Sequence, residues 1–326
     1  MSMRILKVAV GGGINEENLK GTLLYKLFEK LSKNSIKFSN FSSADLIFYG
    51  PYYNFYEKIA NKLKKKIYPS QYFDPRILNF SKNKKKNSLE IFLSFENSIR
   101  FKDIKADFYF TNLLGINDNN HFRIPYWKNC ANWPEYDIYF NDNSDNVIHR
   151  YGEAYDTKRM MQEFGNSFLT KNRKFCIFTS HMMYPRKQIY EVFKNNFTVD
   201  GYGPYFDKKS VSHNSGIIKK KDILKNYMFN LCPHTFSTPG LYSSDVSDAF
   251  LSGSLPVTWA DKNIDYEFNK NAFINLIDYQ NENFSEIINY LKDDNFLKKF
   301  VKEPLILKKP DLKKEIEFVQ KIINSL

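Results

Sequence analysis

Apolar residues along the chain come in short dense runs that alternate with stretches of helical spacing. Ile5 to Val10 is a β-branched run of strand length, broken by Gly11, Gly12 and Gly13. Glu16 to Leu31 then places Leu19, Leu23, Leu24, Leu27, Phe28 and Leu31 at helical intervals, which predicts a helix. Further strands are predicted at 44–49, 89–95 and 106–110, with a helix over 55–64 and the segment Phe122-Arg123-Ile124-Pro125-Tyr126-Trp127 after them. A polar, turn-rich stretch runs from Lys128 to about Arg150, and the alternation resumes beyond it. Strands at 175–179, 197–199, 228–232, 255–259 and 273–277 are interleaved with helices at 186–195, 222–227 and 243–251, and helical spacing returns around 284–302 and 311–325. This order is that of an α/β protein. Two Rossmann-like domains are expected, over 1–160 and 161–305, with a C-terminal helix over 306–326. They are expected to face each other across a cleft, with ligands at the carboxyl ends of the strands.

Composition narrows the class. With 42% hydrophobic residues, 30 Phe and 22 Tyr among 326 positions, the chain can build an aromatic-rich core. No apolar run approaches the roughly 20 residues of a bilayer helix, and the N-terminus shows no secretory pattern. The net charge of +12 suits nucleic acid, an anionic membrane surface or a phosphorylated small molecule. Most of the excess is lysine in short runs such as 64–66, 84–86 and 219–221, which also reads as solvated surface. No nucleic-acid motif is present, so nucleic acid is not expected as a partner. Cys130, Cys176 and Cys232 are far apart and form no metal-ligand spacing. A cytoplasmic location and no metal requirement are expected.

Candidate chemistry gathers at strand ends. The glycine loop at 11–13 lacks the dinucleotide and P-loop spacings, so anion binding competes there with a tight turn. Glu96 follows the run ending at Phe95, where a buried carboxylate can act as general base and an exposed one is a plain surface charge. Arg186 opens a helix just beyond the 175–179 strand, where its fork suits a diphosphate or simply solvent. The densest segment is 229–250, a buried strand leading through a Gly/Pro-bearing polar loop to a helix that Ser243 or Ser244 would cap. Backbone N–H groups and hydroxyls converge in that loop, as an anion site or as an ordinary capped helix.

That segment resembles a known family. Asn230-Leu231-Cys232, a polar loop, and Ser247-Asp248-Ala249-Phe250 running to Pro256-Val257-Thr258-Trp259 are similar to the donor-binding signature of α-1,3-fucosyltransferases, glycosyltransferase family 10. Ser43 to Gly50, Phe95-Glu96-Asn97, Ala106 to Tyr109, Arg123 to Trp127, Arg173 to Phe178 and Arg186 resemble further family landmarks in the same order, over roughly residues 40–280. The resemblance implies the two-domain GT-B architecture and a metal-independent, inverting transfer of a sugar, fucose from GDP-fucose first, to an oligosaccharide or glycolipid acceptor in glycan, lipopolysaccharide or capsule biosynthesis. It implies Glu96 as general base. Arg186, His234, Thr235, Tyr242, Ser243, Ser244 and Asp245 fall on the donor side, and Asn97, Tyr126 and Trp127 on the acceptor side. No cofactor beyond the nucleotide sugar is implied. A basic surface would suit peripheral contact with an anionic inner membrane.

The loop departs from the family pattern. Pro233-His234-Thr235-Phe236 stands where the family reads Phe-Glu-Asn-Ser, and Leu241-Tyr242-Ser243-Ser244-Asp245 where it reads Tyr-Val-Thr-Glu-Lys. The resemblance gives that glutamate to the ribose and that lysine to the diphosphate, and here the two positions hold Ser244 and Asp245. An anion in place of a phosphate-binding cation inverts an interaction of about 4 kcal/mol at ~4 Å and an effective dielectric near 20. Arg186, the helix N-terminus or the 219–221 lysines would have to compensate. The alternative is a descendant of the fold that has lost catalysis or takes a different donor.

Overall fold

The computed structural model describes residues 5–32, 35–51, 84–95, 106–140, 154–206, 220–235 and 237–326. The chain forms two compact units, Met1–Ile124 with Leu312–Leu326, and Pro125–Asp311. Each is built on one fully parallel sheet, so the α/β, two-Rossmann-unit expectation holds.

In the first unit, β1 (Leu6–Gly11), β2 (Ile36–Phe38), β3 (Leu46–Tyr49), β4 (Leu89–Ser94), β5 (Phe108–Thr111) and β6 (His121–Arg123) lie in the order β2-β1-β3-β4-β5-β6. Strands β3 and β5 are buried at every position, as a sheet covered on both faces requires. The helix expected over 16–31 is two helices, α1 (Glu16–Lys20) and α2 (Leu23–Leu31). Gly21 ends the first, and the Thr22 hydroxyl accepts the Tyr25 N–H at 3.1 Å to start the second. The glycine loop is a tight turn. Gly12 has φ +60°, and a Cβ there would lie 2.2 Å from the Gly50 carbonyl oxygen at the end of β3.

The domain boundaries differ from the expected ones at both ends. The C-terminal helix Lys313–Asn324 is part of the first unit, where Phe318 meets the rings of Phe108, Phe110 and Phe122 at 5.0–5.9 Å. Residues 125–160, expected in the first domain, belong to the second. There β7 (Ala131–Asn132) pairs in parallel with β8 (Tyr155–Asp156), and Trp127 packs on Trp133 and Phe268. The division expected after the polar stretch 128–150 falls before it, because Trp127 and Trp133 pack within the second unit. The helix expected over 55–64 lies outside the described residues.

The sheet of the second unit has β9 (Lys174–Phe178), β10 (Thr198–Tyr202), β11 (Phe229–Leu231), β12 (Leu255–Thr258) and β13 (Ile274–Asn275) in the order β10-β9-β11-β12-β13. Phe175 of β9 stacks on Phe229 of β11 with ring centroids 4.5 Å apart. Helix α4 (Arg186–Lys194) follows the short α3 (Thr157–Met160), and its Phe193 packs on Phe175. Each fully buried side chain of this kind contributes about 1.5–3 kcal/mol. Helices α5 (Lys220–Leu224) and α6 (Asp245–Leu251) complete the part that bears the site, α6 anchored by Phe250 against Phe164 at 5.0 Å. The helical spacing around 284–302 forms three short pieces, Ser285–Tyr290, Asp294–Leu297 and the 3-10 turn Lys298–Phe300.

Candidate functional site

The order β10-β9-β11-β12-β13 reverses direction between β9 and β11. The chain runs from β9 to one side and later returns to the other, and ligands of open α/β sheets bind outside the carboxyl ends of the strands at such a point. The segments leaving those two ends carry Thr179, His181 and Arg186 after β9, and Cys232, Pro233 and His234 after β11. Arg186 ties them together. Its Nε donates to the Pro233 carbonyl at 2.9 Å and its Nη1 to the Thr179 hydroxyl at 3.2 Å. The fork is thereby held at the opening residue of α4.

His234 is buried, its backbone N–H donating to the Trp259 carbonyl at 3.0 Å. Its Nε2 has no hydrogen-bond partner. Burial pulls its pKa down to about 4, against the opposing field of Asp245, with Arg186 lowering it further. The unfolded chain therefore takes up a proton between about pH 6.5 and 4 that the folded His234 refuses, so its contribution to stability is present above pH 6.5 and lost on acidification through that window. A His234→Gln variant will show a shallower fall in melting temperature between pH 6.5 and 4 than the wild type. Equal slopes in the two proteins would count against a buried neutral imidazole.

The loop after His234 leads to a buried charge cluster. Asp245 and Asp248 stand three residues apart on one face of α6, and Lys220 of α5 inserts its ammonium between them. Lys220 pairs with Asp245 and lies 2.7 Å from Asp248. The Ser243 hydroxyl donates to Asp245 at 2.6 Å and the Ser244 hydroxyl to Asp248 at 3.0 Å. Burial works against the charge on Lys220, but the two carboxylates hold its pKa well above the usual lysine range. Burial likewise opposes ionisation of Asp245, yet the Lys220 ammonium holds its carboxyl well below the ordinary range. Asp248, the more deeply buried, is pushed up to about 6 by desolvation, with Lys220 opposing and Asp245 adding to the rise.

Of the sequence-predicted donor residues, the structure brings Arg186, His234, Ser243, Ser244 and Asp245 into this neighbourhood, and Thr235 follows His234 in the same loop. Three expectations change. Tyr242 is 1% exposed, with its hydroxyl on Asp261 at 3.0 Å and its ring 6.0 Å from that of His234. It supports the loop and presents no face to a ligand. Ser244 occupies the N-cap position of α6 without a side-chain cap, because its hydroxyl is spent on Asp248. Trp127, expected on the acceptor side, is a buried core residue, since its ring is needed between Trp133 and Phe268. Tyr126 beside it stays partly exposed, in the second unit. Glu96 and Asn97 lie outside the described residues.

Sequence reasoning missed Asp248 and Thr179. The i, i+3 relation to Asp245 was the available signal for the first, and no local pattern marks the second. All three cysteines are free and buried. Among the described residues no group of three or more His, Cys, Asp or Glu is placed to hold a metal ion, and no helix is long and apolar enough to cross a membrane. A cavity of about 330 Å³ lies at the other end of α4, lined by Val192, Asn195, Asn196, Ser285, Asn289 and Lys292. That is nine residues, about 14 Å of helix, from Arg186.

No family model matches the chain. A 73-residue stretch is 33% identical to the α-(1,3)-fucosyltransferase FucT of Helicobacter pylori, covering 22% of this chain and 15% of that protein. The fold is similar to solved structures of an α1,3-fucosyltransferase. The structure with GDP-fucose superposes with a TM-score of 0.63 at 19% identity, covering 99% of this chain and 91% of that one. A further α1,3-fucosyltransferase crystal structure and one with GDP give 0.61 at 18% and 20% identity, again covering 99% of this chain and 90% and 91% of theirs.

Proposed function

We propose that the protein is a glycosyltransferase that moves fucose from GDP-fucose to a hydroxyl of a glycan acceptor with inversion at the anomeric carbon. The observation that carries this reading is the placement of Arg186 and of His234, with its unpartnered Nε2, at the carboxyl ends of β9 and β11. They stand at the switch point of a fold shared with an enzyme that was solved with GDP-fucose. The second unit is thus assigned the donor. Arg186 contributes a planar fork for the diphosphate, and the loop from Cys232 to Ser244 contributes hydroxyls and backbone N–H groups.

The reaction is a single displacement. The acceptor oxygen gives its proton to Glu96 and forms the new bond to the anomeric carbon, as the bond from that carbon to the phosphate oxygen breaks. The electron pair leaves with GDP, whose added charge Arg186 and the loop donors stabilise without a metal ion. His234 and Thr235 contact the nucleotide, and Asn97 and Tyr126 contact the acceptor. The net charge of +12 and a glycolipid acceptor suit work at the anionic cytoplasmic face of a membrane.

A thermal-shift series tests the donor. GDP and GDP-fucose at about 100 times their dissociation constants should each add about 2.7 kcal/mol of stability, while UDP and CMP at the same concentrations add much less. Fucose release or transfer from GDP-fucose should accompany it. Absence of a shift with every nucleotide would favour a non-catalytic descendant of the fold.

A further inference from the structure

The charge cluster at the foot of α6 is unusual for a site that receives an anion. Two cations, Lys220 and Arg186, are offset by two carboxylates, Asp245 and Asp248, so the neighbourhood is formally neutral. The four groups do not have equal access to a ligand. Asp248 has a fully buried side chain and that of Lys220 is 7% exposed, whereas the side chain of Asp245 is 26% exposed. Of Lys220 and the two carboxylates, the outermost is therefore an anion, and the lysine behind it is held inward by both carboxylates. Lys220 also sits 5.5 Å over the ring of Phe178, which fixes its ammonium further.

Polar atoms left over at the same place show that the cluster is not closed on itself. His234 Nε2 and Asp248 Oδ1 are buried without a hydrogen-bond partner, and both residues lie within the electrostatic reach of Asp245. Asp245 also acts on Arg186, the cation assigned to the diphosphate. A carboxylate so placed weakens a diphosphate's hold on Arg186, unless a counter-charge stands directly behind it.

Resting on the GDP-fucose reading above, we propose that Asp245 and Lys220 form a compensating pair that sets how tightly the site holds a nucleoside diphosphate, Asp245 lowering the affinity and Lys220 limiting the loss. Lys220 is a positioning residue that acts through Asp245 and need not touch the ligand. The pair predicts an effect of a sign that a purely structural ion pair does not. Asp245→Asn removes the outward anion and leaves the Lys220–Asp248 contact in place, so the fold keeps its buried pair.

The test is calorimetric titration with GDP, using guanosine as an uncharged control and thermal melts to verify folding. Wild type should bind GDP. Asp245→Asn should bind it about tenfold more tightly, with guanosine affinity changed less than twofold. Lys220→Met placed on Asp245→Asn should keep that gain to within about threefold, because the anion Lys220 offsets is already gone, and Lys220→Arg alone should stay within about threefold of wild type because it keeps the charge. If wild type binds GDP but Asp245→Asn binds it equally or more weakly, or gains equally for guanosine, the compensating pair is wrong and the donor assignment stands. If wild type binds no GDP, the donor assignment falls and the pair's role falls with it.

Discussion

Arg186→Leu will lose at least about 100-fold in affinity for GDP, while its thermal unfolding without ligand shows a folded protein. Each hydrogen bond to a charged partner contributes about 1.5–3 kcal/mol, and the fork offers a diphosphate two of them. At about 1.4 kcal/mol per factor of ten, two such bonds amount to two orders of magnitude or more. The effect also reaches the loop. Arg186 holds the Pro233 carbonyl and the Thr179 hydroxyl, so its removal frees the segments leaving β9 and β11 from one another. Arg186→Lys should recover only a small part, because an ammonium cannot hold Pro233 and Thr179 and present a planar pair of donors at once. Titration calorimetry of the three proteins decides the matter. An Arg186→Leu affinity within threefold of wild type would remove Arg186 from the donor site.

Glu96→Gln will lower kcat by about 10²- to 10⁴-fold, the usual range for deleting a general base, and will change GDP affinity by less than threefold. Glutamine keeps the size and one acceptor oxygen of the glutamate but cannot take the proton of the acceptor hydroxyl. The split between turnover and nucleotide binding is the informative part, because a base acts on the acceptor hydroxyl and need not touch the nucleotide. A transfer assay with labelled GDP-fucose, run beside the titration, measures both. Full turnover in Glu96→Gln would send the search for the base elsewhere. Loss of GDP binding would mean that the glutamate serves the donor.

The two largest expected effects thus fall on residues that sequence alone could nominate, whereas the partner of Asp245 required the fold. Read along the chain, Asp245 is an anion where a phosphate-binding cation is expected. The lysines at 219–221 stand some 25 positions away with no periodic relation to it. Only the packing of α5 against α6 brings Lys220 between Asp245 and Asp248.

The sequence by itself determined the class of fold, because strand-length apolar runs alternating with helical spacing are dictated by local geometry and burial. It also nominated the candidate donor loop, since a buried strand, a Gly/Pro-bearing turn and a helix start follow one another within 22 residues, Phe229 to Phe250. The tertiary structure alone decided where the units divide, because the contacts of Trp127 with Phe268 and of Phe318 with Phe108 join segments far apart in the chain. It alone decided that Trp127 and Tyr242 are buried supports and that Lys220 is the partner of Asp245. Burial and charge pairing are properties of neighbours in space, and no spacing rule along a chain encodes a neighbour supplied by another element.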